Sequence, residues 1–282
     1  MKISQIHLAQ LLLLSIAIIW GVTFVVNKDA LAYVDAFTLV GSRFFLAFII
    51  MGAYLVAKGI RIGRKELESG LVLGVLLFIS FTTQTYGLNF TTPARSAFIT
   101  GLFVVLVPAI FFLLGGKVRK RELLAAIIAF AGLFVLTYQP GFEINFGEAL
   151  TLICAVAYAT HIVYMGKYVR KIRPLPLVVV QFGVVAVLGF LLAYASGTAF
   201  FSAGAITPIV LLTIFATIYA FFGQAWAQQK LTETQTGIIF TIEPISAGLL
   251  SVLLGIEVFS TQQIAGSVLI LAGIFLASVK KN

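Results

Sequence analysis

Ten stretches of about twenty mostly apolar residues follow one another along the chain, each separated from the next by a short polar connection. A helix needs roughly 20 such residues to cross about 30 Å of hydrocarbon. The pattern therefore predicts an all-α membrane protein of ten transmembrane helices, over residues 8–27, 36–57, 69–89, 95–115, 121–138, 147–167, 174–195, 205–229, 234–256 and 261–279. Hydrophobic residues make up 61% of the chain and charged ones only 10%. A water-facing exterior needs more polar surface than that, so the lipid bilayer is the expected surrounding. The connections leave no room for a soluble domain. The first run continues past Trp20 to Val26 without a small-residue cleavage site, so it reads as a retained helix rather than a signal peptide.

Net charge is +9, yet nucleic acid is not the expected partner, because the basic residues sit in loops rather than on one polar face. With the N-terminus in the cytoplasm, the inner segments hold 16 of the 19 Lys and Arg residues. These include Lys58, Arg61, Arg64 and Lys65, then Lys117 to Arg121, then Lys167 to Arg173, with Lys2, Lys230, Lys280 and Lys281. The outer loops hold Lys28 and Arg95, and Arg43 lies within the second run. The positive-inside rule thus predicts a multi-pass protein of the cell (inner) membrane with both termini cytoplasmic. One cysteine, Cys154, excludes an intrachain disulfide and a cysteine metal cluster.

The chain resembles itself at half its length. A shift of 140 residues brings Gln84 onto Gln224, Thr92 onto Thr232, Leu114-Gly115 onto Leu254-Gly255 and Tyr86 onto Trp226. Five runs per half is an odd number, so the second half is expected to be inverted relative to the first. Residues 1–140 and 141–282 then form two five-helix repeats, a device of secondary transporters.

Five runs carry polar and aromatic faces that lipid would not tolerate. In the sixth run Thr151, Cys154, Tyr158, His161 and Met165 share one helical face. The first run offers Trp20, Thr23 and Asn27, the third Gln84, Tyr86 and Asn89, the eighth Gln224 and Trp226, and the ninth Thr236, Phe240 and Glu243. Two readings stand side by side: interhelical hydrogen bonds in a closed bundle, or a wet aromatic cavity that binds a small molecule. The cavity is expected to be lined by Trp20, Thr23, Tyr158, His161, Thr236 and Phe240. Gln84 with Tyr86, and Gln224 with Trp226, are expected one pair near each mouth. The fifth and tenth runs, with Gly132, Gly266 and Gly273, read as peripheral packing helices.

Three stretches carry a family resemblance. They are Trp20-Gly21-Val22-Thr23-Phe24 with Arg43; Ala94 to Pro108; and Ile242-Glu243-Pro244 followed by Gly255-Ile256-Glu257, Gly266 and Gly273. In this order the chain resembles the EamA type of the drug/metabolite transporter superfamily. The resemblance implies two five-helix bundles around a central cavity, and export of an amino acid or similar metabolite. The halves depart from equivalence: Lys117 stands where the second half has Glu257, and Gln181 or Gly183 lies near the position matching Arg43.

Each intramembrane ionisable group has two readings. Arg43 is a substrate-carboxylate ligand or a helix brace, and the resemblance favours the brace. Glu243 carries a coupling proton, or its carboxyl bonds backbone groups near Pro244. His161 forms a relay with Glu243 or is structural. No phosphate-cradling loop, paired-His metal motif or nucleophile elbow is present, so no cofactor, no ATP-driven step and no enzyme activity are expected. The rival readings are a membrane-embedded enzyme using His161 and Glu243, or a scaffold without transport. Oligomeric state is left open, with a monomer sufficient.

Overall fold

The computed structural model describes residues 4–137, 144–253 and 260–278. Among them it places ten helical rods, two of them broken. In chain order these are α1 (Gln5–Ala30), α2 (Ala36–Ala57), α3 (Arg64–Gly87), α4 (Pro93–Leu113), α5 (Lys120–Thr137), α6 (Phe146–Val169), α7 (Pro174–Ser196), α8 (Ala203–Ala227), α9 (Glu233–Phe240 and Ile242–Leu253) and α10 (Thr261–Ser278). The described residues contain no strand, only an isolated antiparallel bridge between Val34 and Phe201. The expected boundary between halves falls outside the described residues, as do Lys2, Gly255, Ile256, Glu257, Lys280 and Lys281.

Eight rods are long and apolar enough to cross a membrane. The other two are α5 and α9. Lys120, Arg121 and Glu122 open α5, and α9 is interrupted at Thr241. Helix α3 starts at Arg64, five residues before the apolar run expected at 69, because its charged first turn is helical too.

Side-chain caps set several starts. Ser4, Asp35, Thr92, Asn145 and Thr232 each accept a hydrogen bond from a first-turn N–H, a contribution of about 0.5–2 kcal/mol apiece. The two breaks also have local causes. In α9 the helix gives way at Thr241, three residues before Pro244, which has no N–H and whose ring clashes with the carbonyl of Phe240. In α4 the break falls at Gly101–Leu102, a residue type at which helices kink.

Polar contacts sort into two ends. At one end lie the basic loops. There Arg170 pairs with Glu233 at 2.7 Å, Arg173 with Glu66 at 2.8 Å, and Thr232 donates to Glu122 at 3.1 Å. At the other end Arg95 pairs with Glu148 at 3.0 Å, Thr91 donates to the same carboxylate, and Lys28 donates to the carbonyl of Leu88. Between the ends the exterior is apolar: Ile127 is 53% exposed, Val187 58% and Val268 58%. Only a lipid surrounding makes such a surface stable in a helix bundle.

Glycine lets certain rods touch closely. A Cβ on Gly132 would lie 2.7 Å from the Gly266 carbonyl, and one on Gly273 2.8 Å from that of Ala125, so α5 and α10 pack backbone to backbone. A Cβ on Gly189 of α7 would sit 2.9 Å from the Cα of Gly41 in α2. The tightest approach is at Gly21 in α1, where a Cβ would fall 1.7 Å from Ser246 Oγ and 2.4 Å from the Glu243 carbonyl. Gly21 therefore holds α1 against the start of the second segment of α9.

Candidate functional site

A cavity opens where α1, α3, α4, α6 and α9 converge. Helix α1 contributes Trp20, Thr23, Phe24 and Asn27; α3 contributes Ser80, Phe81 and Gln84; α4 contributes Thr100 beside its break; α6 contributes Cys154 and Tyr158; α9 contributes Glu243 just past its own break. It encloses about 410 Å³ of empty space, of which about 30 Å³ can take the centre of a water-sized sphere. Since roughly 10–15 Å³ by that measure holds one water, this shape admits a little water and must widen for a metabolite. From Trp20 and Tyr158 the lining rises to Asn27 and Gln84, each three residues from the helix end remote from the basic loops.

Towards the basic end the cavity is sealed. Phe240 and Tyr158 both contact the Trp20 ring, at centroid distances of 4.9 and 5.7 Å, and Phe103 and Phe221 fill the space around them. Beneath the rings runs a polar chain. Tyr158 donates to Gln224 Oε1 at 3.2 Å, Gln224 donates to Gln228 Oε1 at 2.9 Å, and Gln228 donates to the Ile162 carbonyl at 2.8 Å. Gln224 and Gln228 are fully buried, and each amide finds partners, as burial demands.

A π-helical stretch over Leu212–Tyr219 within α8 anchors two further residues. Such bulges turn carbonyls sideways and recur at functional sites. Here the Ala216 carbonyl accepts from Trp20 Nε1 at 3.0 Å and from Arg43 Nη2 at 3.4 Å. Arg43 Nε also donates to Thr217 Oγ1 at 3.0 Å, and its guanidinium lies over the rings of Phe44 and Phe81. Arg43 thus sits behind Phe81, bonded to α8, and does not line the cavity. The brace is the reading this geometry supports.

Of the residues singled out from sequence, Trp20, Thr23, Asn27, Gln84, Tyr158 and Glu243 come together in the cavity. Phe240 and Gln224 lie beneath it. His161 also lies below: its Nε2 is 2.8 Å from Gln181 Oε1, and its ring stacks on Tyr158. No hydrogen bond or ion pair joins it to Glu243, so the relay, one of the two readings of His161, has no direct contact in this geometry. Of the Glu243 carboxyl, Oε1 is buried without a hydrogen-bond partner, so this oxygen makes no bond to the backbone near Pro244.

Three residues fall outside. Thr236 donates to the Thr232 carbonyl of its own helix. Trp226 lies under Lys230 Nζ, 4.3 Å from the ring centroid. Tyr86 stacks on Phe37 and lines a separate crevice with Asp35, Asn89 and Phe200. The reason is geometric: residues two apart on a helix do not share a face, so Gln84 and Tyr86, or Gln224 and Trp226, cannot both meet one cavity. Ser80, Phe81 and Thr100 were not singled out. Ser80 was legible, being one turn before Gln84 on the same face; Thr100 carries no such signal, lying in an apolar stretch of α4.

Apolar rods enclosing a polar, aromatic chamber define a multi-pass helical membrane protein with an internal cavity. Comparison with known proteins gives the class a family. The EamA-like transporter family matches the chain twice, over residues 7–138 and 145–279. An uncharacterized transporter of Archaeoglobus fulgidus is 31% identical over 96% of this chain and 86% of its own length. The uncharacterized transporter YyaM of Bacillus subtilis is 26% identical over 95% and 92% of the two chains. The uncharacterized inner membrane transporter YedA of Escherichia coli is 25% identical over 88% and 83%. A solved crystal structure with 20% identity superposes with a TM-score of 0.77 over 95% of this chain and 96% of that one. The chain belongs to the EamA-like transporter family.

Proposed function

We propose that the chain is a secondary transporter of the inner membrane that exports an amino acid or similar small metabolite by alternating access. In this reading all ten rods span the bilayer as two inverted repeats, and the basic end, with both termini, faces the cytoplasm. The observation that carries it is the placement of the cavity. It draws on both family matches, lies beside the breaks of α4 and α9, reaches towards the end remote from the basic loops and is sealed towards the basic end by Tyr158, Phe240 and the Gln224–Gln228 chain. Discontinuous helices at a midplane site are what a rocking carrier uses. The present shape then corresponds to an outward-facing, narrowed state, and a monomer contains the whole path.

Counterflow tests this directly. The purified chain in liposomes preloaded with a panel of unlabelled metabolites is expected to accumulate the matching labelled compound. A panel covering amino acids, amines, organic acids, sugars and nucleosides that gives no flux above empty liposomes would remove the reading.

A further inference from the structure

We infer that the cavity seats an organic ammonium group on Glu243, beside the rings of Trp20 and Tyr158. The inference rests on the transporter reading and narrows its substrate class.

The cavity holds acceptors that its own donors leave without a partner. Glu243 Oε1 and Asn27 Oδ1 are buried and accept no hydrogen bond. Five donors among the lining residues are committed elsewhere. Trp20 Nε1 donates to the Ala216 carbonyl, Thr23 to the Trp20 carbonyl, Ser80 to the Leu76 carbonyl, Gln84 to Thr100, and Tyr158 to Gln224. No Lys, Arg or His is among the lining residues. The nearby guanidinium of Arg43 is bonded to Ala216 and Thr217 on the far side of Phe81.

A buried carboxyl that meets neither a cation nor a donor is unstable as an anion in a membrane interior, and so takes a proton or a cation. An ammonium group supplies three donors and a positive charge to such a site. The rings complete the match: Trp20 and Tyr158, in edge-to-face contact with each other at 5.7 Å, both border the cavity, where a cation can meet the free part of an aromatic face. A substrate carboxylate finds no such partner here. The site therefore favours amines over acids of the same skeleton, and binds an amino acid by its amino end.

Matched probes test this: butylammonium, butyrate and butanol added to the purified chain carrying Trp226→Phe, which leaves Trp20 as the sole tryptophan. Butylammonium is expected to change Trp20 fluorescence saturably, and butyrate is not. Glu243→Gln should weaken butylammonium roughly 30-fold or more while leaving butanol within about twofold, the loss expected when one member of a buried charge pair is removed. Glu243→Asp should retain most of the preference.

Because a variant can fail to fold, the unmodified chain supplies an independent readout. Butylammonium should slow modification of Glu243 by dicyclohexylcarbodiimide, mapped by mass spectrometry, and butyrate should not. Butyrate binding as tightly as butylammonium, a Gln variant that keeps its ammonium affinity, or no protection of Glu243 would each overturn the inference. Counterflow separates the two claims. Flux of anionic substrates alone leaves the transporter reading and removes the ammonium site, whereas ammonium protection of Glu243 without flux of any compound removes the transporter reading and leaves the site.

Discussion

Thr92 and Thr232 stand 140 residues apart, and each caps its helix by accepting a bond from the N–H three residues on. The same shift carries the α4 break at Gly101 onto the α9 break at Thr241, and the Leu88 N–H, which closes α3, onto that of Gln228, which closes the matching helix. The backbone frame is thus repeated, while its filling is not. Thr100 corresponds to Phe240, and Phe103 to Glu243. In the first half the small hydroxyl borders the cavity and the ring lies a turn beyond. In the second half a ring plugs the floor and the carboxyl faces the space. Gln84 makes one bond to Thr100, whereas its counterpart Gln224 is locked between Tyr158 and Gln228. The difference lies in the filling of a repeated frame: the matched positions beside the two breaks put a small hydroxyl and a carboxyl at the cavity and rings outside it.

The sharpest way to break this comparison is to truncate the matched pair. Phe240→Ala should destabilise the protein by about 3–5 kcal/mol, the usual loss for a large buried ring, read as a fall in the thermal unfolding midpoint in detergent. Thr100→Ala should stay within about 1.5 kcal/mol, because it removes only a small hydroxyl and its hydrogen bonding to Gln84. Equal losses at both positions would show that the two halves share the sealing role. A second experiment uses single cysteines at Gln84 and Gln224 on a Cys154→Ala background. An impermeant thiol reagent added to the face remote from the basic loops should label position 84 readily and position 224 hardly at all. Transported substrate should move the two rates in opposite senses. Labelling that is equal at both sites and indifferent to substrate would sink the assignment of one residue to each mouth. A smaller effect than at Phe240 is expected at Arg170→Ala, which removes the pair with Glu233 at the sealed end. Arg170 is partly exposed but Glu233 is buried, so the stability change should be about 1–3 kcal/mol, the cost of leaving a buried group without its partner, while labelling at position 224 should quicken. A loss several times larger would mark this ion pair as a structural clamp rather than a latch.

The rods themselves were legible because bilayer crossing imposes length and apolarity on each segment separately, and both can be read without neighbours. Charges at helix starts extended α3 to Arg64, where the apolar pattern stopped short. The site was legible only by face. Trp20, Thr23 and Asn27 recur at helical spacing and do line the cavity, whereas Tyr86 and Trp226 were grouped with their glutamines by sequence symmetry, against the helical period. What a single helix cannot disclose is which partner takes up each donor. The Gln181 that holds His161 and the sideways Ala216 carbonyl that holds Trp20 and Arg43 come from other helices. A π turn leaves no mark in an apolar pattern.

The glycine contacts described above have a mechanical consequence. A lever needs a fulcrum, and friction there is least where the bearing surfaces are smooth. Gly132 against Gly266, and Gly189 against Gly41, bring backbones together, with the side chains of Leu136, Leu269 and Phe190 packed beside the contact. In the alternating-access cycle proposed here these two seams serve as hinge pins on either side of the chamber. A pivot at the rim turns a small rotation into its largest displacement at the far mouth. Bulk added at a pin would therefore be felt most at a point it never touches.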